Sequence, residues 1–538
     1  MCRLMWWGWM GLLLLVGLVL SSPSPLMTTA GQNRTVCSTV LNPEAEQQLK
    51  ALFPSSQLFF PGDAKYPRLS SQYNPIYDNA SFPFAILRAS SEDDVVAAVK
   101  WARASSVCLS IKSSGHSPDG SSVLDRTLLL DLALLDSVSV SVSASAPSAD
   151  LGPGADNADL VAALRPYGLI GVWGGCTTVS MGGYLQGGGE GAAARVLGYG
   201  VDNLLSVRLV SAEGALITAS PSLNPDLFWA LRGGGGPGGN FGVVVSFRVS
   251  LSPAPPSVLN FAISYSRAFP SQPCAPVSPN GTAPEPPEVA AAVSDLAAFA
   301  DLFFGQVGGY PDAMGIGIEW TKSCSAAAPG VGPFPNVTVT LFGTYFGDSA
   351  EGLEMLAIYQ SKFPSVSASV QVNTTIFKAT EALYLSLSGP SPYYLSKQRY
   401  ILQRPPLAFS LMQTRAMLAC PSSLTQITLY LLGGVPSRVP PTQTVYYHRD
   451  ALFNFYYYGY FDSPSLSPSV DAWLQHFFAL SLPFLSSQAY QNWPDPSLGV
   501  DSWPSSYYGP NLDRLLSIKR FWDPSCFLQF PQSLCQLI

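Results

Sequence analysis

The sequence predicts a multidomain α+β protein, and three observations support that prediction. The chain has 538 residues, of which 47% are hydrophobic and 12% are charged, against a usual charged fraction of about 25%. A single core rarely grows beyond about 250–300 residues, so two or more domains are expected. Segments with strand spacing and segments with helical spacing also alternate through the first half of the chain.

The segment from Phe82 to Leu135 predicts a β-α-β start. Phe84 to Leu87 is a short apolar run, which is typical of a buried strand. Ser90 to Asp94 supplies N-cap residues and first-turn acids, and an apolar stripe at helical spacing follows from Val95 to Ala102. Two further strands are predicted, from Cys108 to Ile111 and from Thr127 to Leu132.

A glycine-dense segment, Gly171 to Gly191, follows a predicted helix from Asp159 to Arg165. Beyond it the pattern indicates a hairpin, a short helix and a buried strand. The predicted bounds are Leu204 to Val210 with Ala215 to Ala219, Asp226 to Leu231, and Phe241 to Leu251. The Pro-rich stretch Ser252 to Ser257 then breaks all periodicity, so a domain boundary is expected there.

The middle of the chain mixes Pro/Ser-rich connections with strands and helices. Predicted strands are Val337 to Thr344, Leu424 to Leu432 and Phe453 to Tyr460; predicted helices are Pro287 to Phe304 and Gly352 to Phe363. From Tyr507 the pattern is helical again, which suggests a tail that returns to the first domain.

The first residues resemble a secretory leader. Arg3 precedes an uncharged stretch from Leu4 to Leu20, and small and helix-ending residues follow. The alternative is a signal anchor, since the stretch is close to the roughly 20 residues that span a bilayer. Cleavage would leave a secreted protein without stable membrane insertion. Five glycosylation sequons agree with that route: Asn33, Asn79, Asn280, Asn336 and Asn373.

Charge and cysteine content exclude several function classes. The net charge is −7, with no long basic run, so a nucleic-acid partner is not expected. With three His and no C-x-x-C or H-E-x-x-H, no metal centre is predicted. Removal of Cys2 with the leader would leave eight cysteines, whose pairing the sequence alone does not determine.

The glycine runs alone do not identify a nucleotide site. Gly187 to Gly191 and Gly233 to Gly242 would let backbone N–H groups approach a diphosphate. A dinucleotide fingerprint follows a strand, begins a helix and has an acidic residue about 20 positions later, and neither run meets these conditions. The sequence contains no Gly-Lys pair, which excludes a P-loop.

Four ordered motifs carry a more specific signal. They are Ser113-Ser114-Gly115-His116-Ser117; Gly174-Gly175-Cys176 through Val179 to Gly189; Asp226 to Gly235; and a C-terminal set of Tyr508-Gly509-Pro510-Asn511, Lys519, Asp523-Pro524 and Pro531-Gln532-Ser533. In this order they resemble the berberine-bridge-enzyme-like oxidases of the vanillyl-alcohol-oxidase flavoprotein family, whose FAD-binding domain is of the PCMH type. The resemblance covers Phe82 to Leu251 and His448 to the end, and the middle only loosely.

The resemblance implies a two-part FAD-binding domain, 23–255 with a closing segment at 490–538, and an inserted substrate domain at 256–489 built on an antiparallel sheet covered by helices. It implies one FAD held by two covalent bonds, from His116 to the flavin 8α-methyl and from Cys176 to flavin C6. Ser114, Thr177 and Ser180 depart from the family pattern. Further implied FAD contacts are Ser113, Ser114, Gly115, Ser117, Thr178, Gly182, Gly183, Tyr184, Gly188, Gly189 and Asn511.

The resemblance also suggests residues for the reaction. Val179 falls at the family's oxygen-gating position, which predicts an oxidase that makes H2O2. Tyr457 falls where relatives carry their base, with Arg449 as a candidate cation to lower its pKa; its alternative role is a stacking platform. Glu190 falls at a substrate-facing position and is the rival base. An N-terminal cysteine is implied to pair with the strand before the His116 loop, as Cys37 with Cys108. With Cys176 on the flavin, five cysteines then remain, so one is expected to be free or intermolecular.

The substrate remains open between two classes. Tyrosine-rich surfaces stack on sugar faces and bind hydroxyls, and they also suit alkaloids or aromatic alcohols. The aromatic candidates are Tyr446, Tyr447, Tyr456, Tyr457, Tyr458, Tyr460, Phe461 and Trp493. A sugar or oligosaccharide is favoured over an alkaloid or aromatic alcohol. A dehydrogenase with a non-oxygen acceptor and a secreted glycoprotein that carries FAD only to bind ligands are the remaining alternatives.

Overall fold

Three sheets and a strand pair organise the described part of the chain. The computed structural model describes residues 41–538 except 79, 144, 237, 273, 275–284, 326–332 and 387–390. The predicted leader and the sequons at 33, 79 and 280 lie outside these residues. Within them, no helix has the length and apolar character needed to cross a membrane.

The first sheet has four strands in the order β1-β2-β4-β3, and its β2-β4 and β4-β3 pairs are parallel. The strands are β1 Leu58–Phe59, β2 Ala85–Arg88, β3 Leu109–Lys112 and β4 Leu128–Asp131; the helices are α1 Pro43–Leu52, α2 Tyr66–Ser70 and α3 Glu92–Ala104. Helix α3 begins at a capping box of Ser91 and Asp94, which satisfies its first backbone N–H groups.

The second sheet is antiparallel, in the order β5-β6-β10-β8-β9, and a short strand pair β7-β11 lies beside it. The strands are β5 Val138–Ser141, β6 Ser148–Leu151, β7 Leu169–Ile170, β8 Leu204–Val210, β9 Leu216–Ala219, β10 Val243–Ser250 and β11 Ser252–Pro253; the helices are α4 Asn157–Leu164, α5 Met181–Gly187, α6 Ala194–Leu197 and α7 Pro225–Leu231. The predicted hairpin is β8-β9.

The third sheet is antiparallel throughout, in the order β15-β12-β14-β13-β17-β18-β16. The strands are β12 Val258–Ala268, β13 Met314–Ser325, β14 Phe334–Tyr345, β15 Ser367–Thr374, β16 Tyr393–Ile401, β17 Gln426–Leu431 and β18 Phe453–Phe461; the helices are α8 Pro287–Gly305, α9 Ser349–Lys362, α10 Ile376–Ser386, α11 Leu407–Ala419 and α12 Ser467–Ser481. Side chains of α8, α11 and α12 share one apolar core with the sheet, so these helices cover one face.

The C-terminal tail joins both halves of the molecule. It contains α13 Trp503–Tyr508 and α14 Leu512–Trp522. The buried Lys519 ammonium donates to the Asn240 carbonyl oxygen at 2.7 Å and to Asp523 at 2.6 Å. Upstream, the buried Asp495 pairs with Lys397 and Arg399 of β16. The predicted α+β fold, with an antiparallel sheet covered by helices, is thus confirmed.

The cysteines include two disulfides within the described residues, Cys274–Cys324 and Cys526–Cys535. Among the described cysteines, Cys420 is free and buried. Cys108 and Cys176 each take part in a disulfide as well. Cys37, the partner implied for Cys108, lies outside the described residues.

Candidate active site

A cavity of about 580 Å³ lies between the loops of the first two sheets and the face of the third sheet that α8, α11 and α12 leave uncovered. Several predicted site residues line it together: Ser113, Ser114, Gly115, His116, Ser117, Cys176, Val179, Gly182, Gly183, Tyr184 and Glu190. The sequence placed these residues in two separate motifs, and the fold brings the motifs to one cavity.

His116 lies in the loop that follows β3, at one side of the cavity. Its ring stacks on Tyr73 with centroids 3.8 Å apart, and its Nε2 is 2.8 Å from the Thr178 hydroxyl. Burial lowers the pKa of His116 below its usual value, so the imidazole is neutral at pH 7. In the tautomer whose Nε2–H donates to Thr178, Nδ1 keeps its lone pair.

The glycine-dense segment packs closely against this loop. A Cβ at Gly182, on α5, would come within 2.3 Å of the Ser113 hydroxyl and 3.0 Å of the Pro153 carbonyl oxygen. Only glycine therefore fits there without displacement of its neighbours. On the same helix, Gln186 lines the cavity, and its buried Oε1 has no hydrogen-bond donor, which leaves one acceptor for a bound group.

Glu190 projects a carboxylate into the cavity wall between the two halves. Tyr446 and Tyr400 donate to Oε1 at 2.6 and 2.7 Å, and Asn454 donates to Oε2 at 2.5 Å. Burial raises the pKa of Glu190 above its usual value, and the three hydrogen bonds oppose that rise. A carboxylate with a raised pKa and three fixed donors is suited to accept a proton near neutral pH.

The third sheet contributes a polar and aromatic face to the cavity. Tyr456, Tyr458 and Tyr460 alternate along β18, with adjacent ring centroids 5.1 and 5.5 Å apart and interplanar angles of 10° and 13°. Trp493 meets Tyr456 and Tyr458 edge-on. Burial raises the pKa of all three tyrosines well above the usual value, so they are neutral phenols.

Tyr457 is not at the cavity, and the prediction that it is the base is wrong. It lies on the opposite face of β18, fully buried in the core beneath α11 and α12. Its hydroxyl donates to Gln413 and is 3.1 Å from Ser481. Arg449, the candidate cation, instead pairs with Asp202 through two contacts of 2.7 Å.

Four predicted FAD contacts also lie outside the cavity lining. Asn511 is buried and donates to the backbone carbonyl oxygens of Pro441, Thr444 and Val445. The Thr178 hydroxyl contacts two lining residues, the His116 ring at 2.8 Å and the Cys176 sulfur at 3.8 Å. Gly188 and Gly189 pack behind it: a Cβ at Gly188, where φ is +153°, would come within 2.7 Å of the Tyr446 ring. These residues therefore support the site instead of lining it.

Other lining residues were missed by the sequence analysis. They include Glu319 and Tyr430 of the third sheet, Gln186 of α5, Tyr394 of β16, and Tyr490 of the tail. The Tyr490 hydroxyl accepts from the Gly189 N–H at 3.2 Å and from Asn492 at 3.1 Å. Strand alternation in β13 could have identified Glu319 as facing opposite to Ile318 and Trp320, but not that this face borders a cavity.

Comparison with known proteins gives matches in both regions that carry the motifs. Residues 83–220 match the FAD binding domain family, and residues 489–534 match the family described as berberine and berberine like. An uncharacterized FAD-linked oxidoreductase of Bacillus subtilis, YgaK, is 28% identical over 460 residues, with 84% of this chain and 91% of the relative covered.

Two solved structures share the fold. Berberine bridge enzyme from Eschscholzia californica superimposes with a TM-score of 0.76 at 20% identity, with 91% of this chain and 98% of that chain covered. The xylooligosaccharide oxidase of Myceliophthora thermophila, solved with xylobiose, gives 0.73 at 23% identity and the same coverage. At these identities the two structures establish the likeness of fold.

Proposed function

Since this chain belongs to the berberine-bridge-enzyme-like family of FAD-linked oxidoreductases, we propose that it oxidises an alcohol carbon of a sugar or oligosaccharide and passes the electrons to O2, forming H2O2. The observation that carries this proposal is the cavity itself. It brings a buried carboxylate, Glu190, and a row of tyrosines on β18 together with the loop Ser113–Ser117 and α5.

FAD fits the residues present. The close packing of Gly182 against Ser113 fixes α5 beside the His116 loop, and the unpaired Gln186 Oε1 offers an acceptor to a bound cofactor. We assign the loop Ser113–Ser117 and the helix α5 to the cofactor, within an FAD-binding region made of residues 23–255 and 490–538. When bound, FAD accepts a hydride from the substrate carbon. The segment 256–489 is then the substrate region.

Glu190 takes the proton of the substrate hydroxyl in this proposal. Hydride leaves the carbon only as the hydroxyl loses its proton, so a group ionised near neutral pH must lie within hydrogen-bond reach. Tyr456, Tyr458 and Tyr460 stay protonated because burial raises their pKa values. The described lining offers two carboxylates for this task, Glu190 and Glu319. Glu190 has the oriented donors that stabilise its charge.

The aromatic face supports a sugar as substrate. Tyr456, Tyr458 and Trp493 present ring surface next to the amide of Asn454 and hydroxyl groups, and such surfaces bind sugar rings and their hydroxyls. The likeness in fold to an oxidase solved with xylobiose agrees with this class. The same rings suit an aromatic alcohol or alkaloid, the second candidate.

The deciding experiment measures H2O2 release from purified protein with mono- and oligosaccharides, aromatic alcohols and alkaloids. Turnover with a sugar supports the first candidate, and turnover only with an aromatic compound supports the second. Flavin reduction without peroxide would identify a dehydrogenase with another electron acceptor. If no compound reduces the flavin, the proposed activity is wrong and the alternative of a glycoprotein that carries FAD only to bind ligands is favoured.

We further propose that His116 holds the flavin covalently through its neutral ring. The acid-precipitated protein should then stay yellow, and its mass should exceed that of the polypeptide by one FAD. His116→Ala should remove one link, whereas Ser117→Ala, one position along the loop, should keep it. Mass spectrometry of the flavin peptide checks both variants. A colourless wild-type pellet would refute covalent attachment.

A second link through Cys176 extends the same proposal. The Cys176 sulfur is disulfide-bonded in this structure, and a bond to flavin C6 needs the same sulfur, so the two states exclude each other. If the flavin link forms, both single variants, His116→Ala and Cys176→Ala, remain yellow after precipitation and only the double variant loses colour. Colour lost in His116→Ala alone would show that Cys176 carries no flavin.

Val179 is proposed to leave room for O2. It lines the cavity and is partly buried against the apolar core that contains Met181 and Leu185 of α5. Val179→Ile adds a methylene and should slow reoxidation of the flavin by O2 by about tenfold, or about 1.4 kcal/mol of barrier, while reduction by substrate changes little. Stopped-flow measurement of the two half-reactions tests this. Equal effects on both would assign Val179 to packing alone, and Val179→Ala is the control that keeps the space open.

Secretion is also proposed for the mature chain, with the leader removed and glycans on the sequons. The disulfides Cys274–Cys324 and Cys526–Cys535 support an oxidising compartment. Of the described sequons, Asn373 is exposed and Asn336 lies half-buried on β14, so Asn373 is the more accessible acceptor.

A further inference from the structure

Glu319 is a cavity carboxylate that the proposed reaction does not use. It lies in the middle of β13, it is 2% exposed, and it lines the cavity. The pairing of strands places it between Thr340 of β14 and Thr428 of β17, with Tyr456 of β18 next in the same row. Its carboxyl therefore faces the substrate side of the third sheet.

Tyrosines surround this carboxyl. Tyr430 lies two residues from Thr428 on β17, and Tyr458 and Tyr460 follow Tyr456 at alternate positions on β18. All three therefore share the face of Glu319, and they line the same cavity. Their rings supply negative π faces at the same place. A carboxylate beside several tyrosine rings is a favourable environment for a cation, since both groups attract positive charge.

No basic side chain among the described lining residues neutralises Glu319. The lining contains one guanidinium, that of Arg195, which donates to the backbone carbonyl oxygens of Leu432, Tyr310 and Pro311. Glu190 is held by three uncharged donors. The cavity therefore carries two acids without a paired cation, and it favours a cationic ligand over an anionic one.

We propose that Glu319, with Tyr430 and Tyr458, forms a subsite for a protonated amine of the substrate. This inference rests on the proposed oxidation of an alcohol in the same cavity, and it narrows the substrate to compounds that bear both a hydroxyl and an ammonium group. The ammonium donates charge-assisted hydrogen bonds to the carboxylate and packs against the rings. Burial raises the pKa of Glu319 to about 7, so a cation also favours its ionised form.

Two sources can supply such an amine, an amino sugar or an aromatic amine, and matched ligands separate them. The first set is the methyl β-glycosides of chitobiose, its diacetyl derivative and cellobiose, which share one skeleton but differ in charge. The second set is tyramine and its neutral alcohol, tyrosol. Binding to the flavin-loaded protein is measured at pH 7 by calorimetry, without need of turnover.

The amine should bind at least tenfold more tightly than its neutral counterparts in one of the two sets. Glu319→Gln should abolish that preference, whereas Glu319→Asp should retain most of it. An unchanged flavin spectrum and melting temperature show that both variants are folded. Equal binding of amine and neutral ligand in both sets, no binding of either amine, or a preference that survives in Glu319→Gln would overturn the proposal.

The binding test and the activity test fail in different ways. If the proposed oxidation is wrong, no sugar or aromatic alcohol reduces the flavin, but the preference for the amine and its dependence on Glu319 still appear in calorimetry. If the amine subsite is wrong, neutral substrates are oxidised at least as well as amines, and Glu319→Gln does not alter their relative rates.

Discussion

Replacement of Glu190 by Gln should slow reduction of the flavin by substrate by about 10²–10⁴-fold. Gln keeps the size of the side chain, and its Oε1 can still accept from Tyr446 and Tyr400. It cannot take a proton from the substrate hydroxyl. Anaerobic stopped-flow absorbance of the flavin measures this step alone, and attached flavin in the variant confirms that the cofactor site is intact.

The pH profile gives a second readout of the same residue. Because burial holds the pKa of Glu190 above its usual value, the reductive rate should rise with pH as the carboxyl ionises. Protonation removes the acceptor, so the rate should fall as pH decreases through that pKa. In Glu190→Gln this acid limb should be absent.

Tyr457→Phe, on β18, is the control for Glu190→Gln. Its ring lies on the opposite face of β18 from the cavity, so the reductive rate should stay near normal. The loss of its hydroxyl removes the donor to the buried Gln413 Oε1, which should cost about 1–3 kcal/mol of stability. A near-normal rate in Glu190→Gln with a collapse in Tyr490→Phe would instead move the proton acceptor to Tyr490.

Local signals predicted the local elements well. Helix α3 begins at Glu92 because Ser91 and Asp94 form a capping box within four residues. The β8-β9 hairpin follows from two apolar runs around a Gly-containing turn. The motifs at His116 and Val179 also reach one cavity, although far apart in sequence. The helix and the hairpin are determined by short stretches of sequence, and the two motifs were recognised by their order along the chain.

The face of a strand that borders the cavity could not be predicted in the same way. Alternation correctly separates Tyr457 from Tyr456 and Tyr458, but both sets are aromatic and both are buried. Which set meets the substrate depends on α11 and α12 covering the other face, a tertiary arrangement that no local pattern encodes. The same applies to Glu319, whose partners come from β14 and β17.

Asn511, predicted to contact FAD, instead holds two segments of the chain together. Asn511 is next to α14, where three backbone carbonyls of the segment 441–445 use its amide. It joins the tail to the loop before β18. A residue in a motif that suggests a cofactor contact can thus act by holding neighbouring segments in place, and the sequence does not distinguish that role from direct contact.

The largest effect on stability is expected from Asp495→Asn. Asp495 is 3% exposed, and its two oxygens lie 2.7 Å from Lys397 and 3.0 Å from Arg399. Both cations are themselves buried on β16. The change leaves two buried positive charges without their anion, and loss of one partner from such a group costs about 3–5 kcal/mol.

The control is Asp501→Asn, an exposed residue of the same tail, which should change stability by less than about 0.5 kcal/mol. Thermal and denaturant unfolding of the flavin-loaded proteins, followed by circular dichroism and flavin fluorescence, compare the variants. Since Asp495 joins the tail to the third sheet, flavin release should begin at lower temperature in Asp495→Asn. Equal melting temperatures for the two variants would show that this ion group contributes little.

Acidification should reproduce part of the effect in the wild-type protein. Burial alone would raise the pKa of Asp495, but Lys397 and Arg399 together hold it below its usual value. A carboxyl whose pKa is lower in the folded state stabilises the fold above its unfolded pKa, and that stability is lost as pH falls toward the folded pKa. The melting temperature of wild type should therefore drop toward that of Asp495→Asn below about pH 4, while the variant, which has no carboxyl to protonate there, should lose less over the same range. A parallel decline of the two proteins would assign acid sensitivity to other carboxyls and not to the ion group at Asp495.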